Sequence, residues 1–215
     1  GCQMNKADSE RLENALEQLG LENSTSRNEA DIVVLNTCVV RQSAEDKAVG
    51  TLTSLKPYKE ANPDKVIALM GCMVGPNSDN LKKQFPYVDV FMRPQEYDPL
   101  LDLLSERLQM DVSGCIGPLN APADIATFVP IIHGCDKFCS FCIIPYRRGR
   151  EKSRTIPDIS NEVTRLVNRG VKEITLLGQN VDSYGHDLPG NTNLADLLSE
   201  LNSIDSLNRI RFLTS

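Results

Sequence analysis

The sequence predicts an α/β protein built from parallel sheets. Short apolar runs rich in β-branched residues alternate along the chain with segments in which apolar residues recur at helical spacing. This alternation is typical of parallel sheets that are covered by helices on both faces. The length of 215 residues fits one large domain or two small ones, and 40% of the residues are apolar, which excludes disorder for most of the chain.

The first half is predicted to begin with a helix and to continue with strand–helix units. Apolar residues at helical spacing favour a helix over 6–19, and Gly20 directly after them favours its end. The apolar run at 30–38 predicts a strand, and helical spacing returns over 43–55. The same patterns then predict a strand at 65–72, a helix at 80–84, a strand at 88–92 and a helix at 97–108.

A linker rich in Gly and Pro separates this half from the rest. We place the first domain at 1–110, the linker at 111–126 and the second domain at 127–215. The second domain is predicted to contain strands at 128–133, 172–177 and 209–213 and helices at 159–168 and 194–202. Three β/α units in a row, ending abruptly, suggest about half of a larger parallel barrel or sheet, so we expect the chain to be a piece of a longer protein.

Composition excludes several classes of protein. No apolar run approaches the ~18 residues that a membrane span needs, which argues against an integral membrane protein. The net charge is −6, so contact with nucleic acid has to come from a local basic patch, and one lies at Arg147–Arg154. Seven cysteines, an odd number, without a secretory signal favour metal ligation in a reducing compartment over disulfides. We therefore expect a cytoplasmic protein.

Three cysteines of the first domain are predicted to meet at one edge of its sheet. Cys38 and Cys72 each stand just past the carboxyl end of a predicted strand, and Cys2 stands just before the first helix. Ligands of open α/β sheets bind at that edge, so the three thiols are a candidate site. The alternative is that they are three buried structural cysteines.

The strongest motif is a cysteine triplet, Cys135, Cys139 and Cys142, with the spacing C-x3-C-x2-C. A loop of this length can place three thiolates around an iron–sulfur cluster or a zinc ion. Zinc needs a fourth ligand, which His133 could supply. Three thiolates on a cubane cluster leave one iron open for another molecule.

The triplet resembles the signature loop of the radical S-adenosylmethionine (radical SAM) enzymes. Together with it, four further segments resemble the radical SAM methylthiotransferases in order and spacing: 1–10, 36–38, 71–72 and Leu176-Leu-Gly-Gln-Asn-Val-Asp-Ser-Tyr-Gly185. The residues after the first cysteine and the last of these segments are most like the MiaB type of the family. That type acts on isopentenyl-modified adenosine beside the anticodon of tRNA.

The resemblance implies a fold, cofactors and partners. The fold would be a Rossmann- or flavodoxin-like methylthiotransferase domain followed by the first half of a radical SAM (β/α) barrel, with the remaining barrel and an RNA-binding TRAM domain outside this chain. Two [4Fe–4S] clusters would be bound, an auxiliary one by Cys2, Cys38 and Cys72, and one that cleaves S-adenosylmethionine by Cys135, Cys139 and Cys142. An electron donor such as flavodoxin or ferredoxin is implied, and we expect a monomer that is inactive as this piece alone.

Other substrates and another class of function stay open at this point. A methylthiotransferase could instead act on threonylcarbamoyl-adenosine of tRNA or on an aspartate of a ribosomal protein. A zinc-stabilised, non-catalytic RNA-binding module would use the same cysteines without redox chemistry.

Several other residues are candidates for binding. In the family, the residues that bind S-adenosylmethionine would correspond to Phe141, Gly178, Gln179 and Asn180, although the phenylalanine could only bury the loop and the two amides could only complete a turn. We expect Arg147, Arg148, Arg150 and Arg154 to contact tRNA phosphates or the cofactor carboxylate, although such a run is commonly a solvated face. Cys115 in the linker matches no motif, and we expect it to have no role in cluster binding.

Overall fold

The computed structural model describes residues 1–108 and 125–213, which divide into two compact units. Unit 1 contains residues 1–108 together with the short segment Tyr146–Arg148. Unit 2 contains residues 125–145 and 149–213. Most of the predicted linker, including Cys115, lies outside the described residues, and its boundaries stay a prediction.

Unit 1 alternates helices and strands, as predicted. Its strands form one parallel sheet in the order β1-β2-β3, which confirms the predicted fold class for this half. The elements are α1 (Gln3–Gln18), β1 (Ile32–Thr37), α2 (Gln42–Ala61), β2 (Val66–Gly71), α3 (Asp79–Gln84), β3 (Val90–Met92) and α4 (Asp98–Leu108).

The central strand β2 is buried on both faces. Successive side chains of a strand point to opposite faces, so Ala68 and Met70 pack in one apolar cluster with Leu12 of α1 and Leu100 of α4. Residues Ile67 and Leu69, on the opposite face of the strand, lie in a second cluster that contains Leu52 and Leu55 of α2. Helices therefore cover both faces, which explains why β2 reads as an unbroken apolar run in the sequence.

Unit 2 also contains a parallel sheet, in the order β4-β7-β8. One cluster of buried residues from the sheet, α6 and α7 forms its core. The last three residues of its first helix, α5, are the segment that groups with unit 1. The elements are β4 (Ala126–Pro130), β5 (Ile132–His133), α5 (Ile144–Arg148), β6 (Lys152–Ser153), α6 (Ile156–Asn168), β7 (Glu173–Leu177), a 3-10 turn (Val181–Ser183), α7 (Leu194–Asn202) and β8 (Arg209–Phe212).

The strand predicted at 128–133 was wrong in one respect, because it is two strands in different sheets. The parallel strand β4 ends at Pro130, and β5 pairs antiparallel with β6. The change of partner occurs at Ile131, whose N–H donates to Leu177 O at 2.9 Å and whose carbonyl accepts from Arg154 N at 2.9 Å.

Helices α1 and α6 begin earlier than predicted, at residues 3 and 156 rather than 6 and 159. Helix α1 begins at Gln3, with Cys2 in extended conformation at its N-cap. Helix α6 begins at Ile156 because the Thr155 hydroxyl accepts a hydrogen bond from Asp158 N. Among the helices of the two described ranges, none is both long and apolar enough to cross a membrane.

Candidate functional site

The parallel register of unit 1 places two of the predicted cysteines at one edge of its sheet. Thr37, the last residue of β1, lies opposite Gly71, the last residue of β2. Cys38 and Cys72 follow these two residues directly, so both stand at the carboxyl edge. The Cys72 N–H donates to Thr37 O at 3.0 Å, which fixes the start of the second loop against the first.

Hydrogen bonds tie the start of α1 to the end of β1, and they hold Cys2 at the same edge. The Asn5 amide donates to Thr37 O at 3.2 Å and to Asn36 Oδ1 at 2.5 Å. In return, the Asn36 amide donates to Asn5 O at 2.8 Å. Because Cys2 is the N-cap of this helix, these contacts fix the distance from its backbone to the end of β1.

The thiols of this edge differ in exposure but influence one another. Cys2 is exposed, Cys38 is half-buried and Cys72 is buried. Burial raises the pKa of the Cys72 thiol, and the neighbouring charges of Cys38 and Cys2 raise it further. The charge of Arg148 and a hydrogen bond from its guanidinium act in the opposite direction and lower this pKa in part. The structure thus places Cys2, Cys38 and Cys72 at the same edge of the sheet, and their role as cluster ligands stays a prediction.

The cysteine triplet of unit 2 lies on a loop that begins at a tight approach between two backbones. Gly134 has a φ of +64°, and a Cβ at this position would lie 2.1 Å from Arg150 O, so no other residue fits without displacing the backbone. The N–H of Cys135 then donates to Gly149 O at 3.1 Å. Farther along, the Cys142 N–H donates to Cys139 O at 2.9 Å and closes a turn that places these two cysteines at its ends.

An ion pair holds the first turn of this loop. The Arg150 guanidinium donates to both carboxylate oxygens of Asp136, at 2.7 and 2.9 Å, and the Glu151 N–H donates to the same carboxylate at 3.0 Å. The hydrogen bond from Arg150 lowers the pKa of the Asp136 carboxyl. The guanidinium also lies 5.5 Å from the centre of the Phe138 ring.

The three cysteines of this loop differ in exposure: Cys135 is buried, Cys139 is exposed and Cys142 is half-buried.

The residues predicted to bind S-adenosylmethionine differ in exposure to solvent in unit 2. Phe141 is 91% exposed, so its ring does not bury the loop. Gly178 follows β7, and a Cβ there would lie 2.4 Å from Ile132 Cγ2, which makes this another close approach. Asn180 is buried and its amide donates to the Ser183 hydroxyl within the 3-10 turn, whereas Gln179 is half-buried. Their role in cofactor binding stays a prediction.

The four arginines predicted for phosphate contact also differ. Arg150 has a side chain that is 75% exposed, and Arg147 is half-buried. Arg154 donates to Pro130 O at 2.9 Å and to the Glu162 carboxylate at 2.5 Å. The Arg148 side chain is 3% exposed and donates to the Asp8 carboxylate at 2.9 Å within unit 1.

Asp8 is a buried charged residue near the cysteines of unit 1 that the sequence did not single out. A signal for it exists, because Asp8 follows Ala7 and precedes Leu12 by one helical turn, which puts a carboxylate on the apolar face of α1. It is 0% exposed. A charged residue at a core position is rare unless it has a partner, and the partner is 140 residues away in the sequence.

The donor chemistry of both triplets fits iron–sulfur clusters. All six cysteines are free thiols, and thiolates are the ligands that hold such clusters. Among the described residues, no three Cys, His, Asp or Glu side chains converge so as to hold a single metal ion. A cubane cluster binds each thiolate through a different iron, so its ligands need not converge on one point.

Comparison with known proteins gives matches in both halves of the chain. The model of the uncharacterized protein family UPF0004 matches residues 1–93, and the model of the radical SAM superfamily matches residues 129–215. The second match implies S-adenosylmethionine and an iron–sulfur cluster.

Curated relatives match the whole chain. Proteins named tRNA-2-methylthio-N(6)-dimethylallyladenosine synthase are 48% identical in Herpetosiphon aurantiacus, 45% in Clostridium beijerinckii and 47% in Dehalococcoides mccartyi. Each match covers 100% of this chain and 50%, 50% and 49% of the relative, so the chain spans about half the length of these proteins. Both family models match in this order, and over its full length the chain is similar to proteins that carry this name.

Proposed function

We propose that the chain is part of an enzyme that converts isopentenyl-modified adenosine beside the anticodon of tRNA into its 2-methylthio derivative. The observation that carries this proposal is the pair of thiol triplets, one in each unit, in a chain that is similar over its full length to tRNA-2-methylthio-N(6)-dimethylallyladenosine synthases. The names of the relatives favour the tRNA substrate over the ribosomal-protein aspartate, and dimethylallyl-adenosine over threonylcarbamoyl-adenosine.

Each unit would hold one [4Fe–4S] cluster. In unit 1 the ligands are Cys2, Cys38 and Cys72, and this set is called the auxiliary site below. In unit 2 they are Cys135, Cys139 and Cys142. When bound, these groups and S-adenosylmethionine supply the one-electron cleavage of the cofactor and the sulfur that is transferred. The protein's part is to fix the thiolates, and it does so through Asn5, Asn36 and Thr37 in unit 1 and through Asp136 and Arg150 in unit 2.

S-adenosylmethionine would lie against the loop of the second triplet and the segment after β7. The exposed ring of Phe141 offers an apolar face on which an adenine can stack. Gly178 keeps the backbone after β7 free of a side chain, and Gln179 and Asn180 carry amides that can bond polar groups of the cofactor.

The tRNA would be bound through the arginines that follow the second triplet. Arg150 and Arg147 have the more accessible side chains of the four, although Arg150 donates to Asp136, as Arg148 does to Asp8 and Arg154 to Glu162. Because the whole chain carries a charge of −6, binding would depend on this local patch and weaken as salt rises. We also propose a cytoplasmic monomer that takes electrons from a flavodoxin or ferredoxin.

The assignment of the clusters is tested by removing one ligand. After anaerobic reconstitution, Cys38→Ala should lower the iron and sulfide content per chain by about half, because the two triplets stand in separate units. Cys115→Ser is the matched control, and its iron content should not change. Iron content that is unaffected by Cys38→Ala, or zinc without sulfide in the parent, contradicts the assignment.

The substrate is tested with a chimera, because the chain spans about half of its relatives. The chain replaces the matching part of the Herpetosiphon aurantiacus protein, and the chimera is incubated with reductant, S-adenosylmethionine, sulfide and isopentenyl-modified tRNA. Mass spectrometry of the nucleosides should show the 2-methylthio product, and the Cys38→Ala chimera should not form it. A chimera that holds both clusters and modifies only threonylcarbamoyl-adenosine overturns the proposed substrate.

A further inference from the structure

The most unusual polar group of unit 1 is a buried arginine beside the auxiliary site. The Arg148 side chain is 3% exposed and its partner Asp8 is fully buried. Removing a guanidinium from water is costly, so a position like this is retained only where the charge has partners. Asp8 is one such partner, at 2.9 Å from Nη2.

The carboxylate that holds Arg148 is itself fixed. Gln95 donates to the second oxygen of Asp8 at 3.0 Å, and it does so from a backbone φ of +69°, which a glutamine rarely adopts. The Tyr97 hydroxyl donates to the backbone carbonyl of Asp8 at 3.2 Å. Asp8 is therefore held in one orientation, and the planar guanidinium bound to it is held as well.

The guanidinium has donors left after it has bonded Asp8. An arginine carries five N–H donors, and the ion pair with Asp8 accounts for one contact. The Cys72 thiol lies near enough to the guanidinium for an N–H of Arg148 to act on it. The Nε atom is buried and has no hydrogen-bond partner among the described residues. A buried donor without a partner is unfavourable unless a further acceptor binds there.

The thiols of the auxiliary site are neighbours of Arg148 that could explain this donor. The sulfurs of Cys72 and Cys2 both lie near enough to the Arg148 guanidinium to act on it electrostatically. The guanidinium is therefore within electrostatic reach of two of the three thiols. Hydrogen bonds to cluster sulfurs and nearby charge are the protein's main means of setting a cluster's reduction potential.

We infer that Arg148 is a positioning residue of the auxiliary site, which directs guanidinium N–H donors to sulfur atoms of the cluster and raises its reduction potential. Asp8 and Gln95 hold the guanidinium in the required orientation. The inference rests on the proposed function, since it requires a cluster on Cys2, Cys38 and Cys72. It also assigns Arg148 a role other than the phosphate contact that the arginine run predicts.

The test measures the auxiliary cluster alone. Cys135, Cys139 and Cys142 are replaced by Ala, the chain is reconstituted anaerobically, and the midpoint potential is read by electron paramagnetic resonance during a reductive titration. Arg148→Met should make reduction at least about tenfold less favourable, which is a shift of about 59 mV to more negative potential for one electron. Arg148→Lys keeps the charge but loses the planar fork and should shift the potential less.

Two further variants make the result decisive. Arg41→Met removes the same charge from an exposed position three residues after Cys38, where solvent screens it, so the potential should hardly change. The double variant Asp8→Asn with Arg148→Met leaves no unpaired buried charge, so it keeps the test valid if the single variant does not fold. It should still show a more negative potential, because the donor is gone.

The possible outcomes separate the inference from the proposed function. If the parent with intact Cys2, Cys38 and Cys72 binds no iron, the proposed cluster is wrong. If the parent binds the cluster and the single or double Arg148 variant keeps both its iron content and the parent's potential, the role of Arg148 is wrong.

Discussion

Gly71 occupies a position at which the end of β2 passes close to the end of β1. Its φ is +101°, and a Cβ there would lie 2.4 Å from Thr37 O and 2.5 Å from Asn36 Oδ1. Neither contact is easily relieved, since one atom is backbone and the other belongs to the Asn5–Asn36 hydrogen bonds. Gly71, the residue before Cys72, therefore allows the close approach of the two strand ends that precede Cys38 and Cys72.

Replacing this glycine should disturb both the fold and cluster binding. Gly71→Ala is expected to lower the free energy of unfolding by about 2 kcal/mol or more, because backbone strain and a steric contact add. It should also reduce iron at the auxiliary site. Gly20→Ala is the control, since Gly20 has a φ of +81° with nothing within 4 Å of the added carbon. Urea denaturation measures the free energy of unfolding of each variant. Equal decreases in this free energy for Gly71→Ala and Gly20→Ala would contradict the steric argument.

The six thiols should react with an alkylating agent in the order of their exposure. In the chain freed of metal, iodoacetamide should label the exposed Cys2 and Cys139 first and the buried Cys72 and Cys135 last. For Cys72, burial also raises the pKa and so lowers the fraction of reactive thiolate. Peptide mass spectrometry over time gives the order. In urea the differences should vanish, and rapid labelling of Cys72 without urea would contradict the structure.

At this scale, part of the site could be predicted from the sequence. Cys38 and Cys72 were predictable as neighbours because each follows an apolar run, and parallel strands bring such positions to one edge. The burial of Arg148 was not predictable, because a run of arginines is ordinarily a solvated face and its partner Asp8 lies 140 residues away. Which charges pair across such a distance depends on the packing of the chain rather than on a local pattern.

Hydrogen bonds join the segment that follows β7 to the short strand β6. The Tyr184 hydroxyl donates to Arg154 O at 2.8 Å, the Gly185 N–H donates to the Ser153 hydroxyl at 3.0 Å, and the Ser153 N–H donates to Asp187 at 2.8 Å. Strand β6 has two residues and pairs only with β5 within its sheet. These bonds therefore hold an element that is too short to be stable by itself.

Because of this buried tyrosine, the stability of unit 2 should fall as the pH rises into the alkaline range. Burial raises the pKa of Tyr184 to about 12, whereas an unfolded tyrosine titrates near 10. The contribution is fully present below about pH 10 and is lost as the pH rises towards 12, because the unfolded chain releases its proton first.

The prediction is checked with a variant that lacks the titrating group. Tyr184→Phe should cost about 1 kcal/mol at about pH 8, since the hydrogen bond to Arg154 O is lost. The difference between the parent and this variant should shrink as the pH rises from about 10 to 12, while the other tyrosines are common to both proteins. Urea denaturation at several pH values measures it, and a difference that stays constant over this range contradicts the prediction.

At the scale of elements, the long helices and strands were predictable and the short ones were not. Strand β2 and helix α7 follow from an apolar run and from helical spacing that extend over several residues. Helix α5 has five residues with Pro145 in its first turn, and β5 and β6 have two residues each, so no periodicity can develop in them. Their positions depend on contacts with other parts of the chain, such as that of Cys135 N with Gly149 O.

At the scale of the whole molecule, the order of the chain and its grouping in space do not coincide. The family models match 1–93 and 129–215, whereas unit 1 also includes Tyr146–Arg148 from the second of these ranges. The three residues bring Arg148 to Asp8, so unit 1 takes the partner of its buried carboxylate from a distant part of the sequence.

A consequence is that unit 1 cannot be separated from the rest of the protein by a single cut. A piece of residues 1–108 lacks Arg148, so Asp8 loses the cation that its burial requires. In the whole chain, Asp8→Asn breaks the pair and should cost about 3–5 kcal/mol, whereas in the isolated piece it removes a lone carboxylate and should raise stability. Urea denaturation followed by circular dichroism measures how Asp8→Asn changes the free energy of unfolding of each protein. If the change has the same sign in both, the piece does not depend on Arg148 for its stability. We therefore expect a piece that folds by itself to include both Asp8 and Arg148, which lie in the ranges of different family matches.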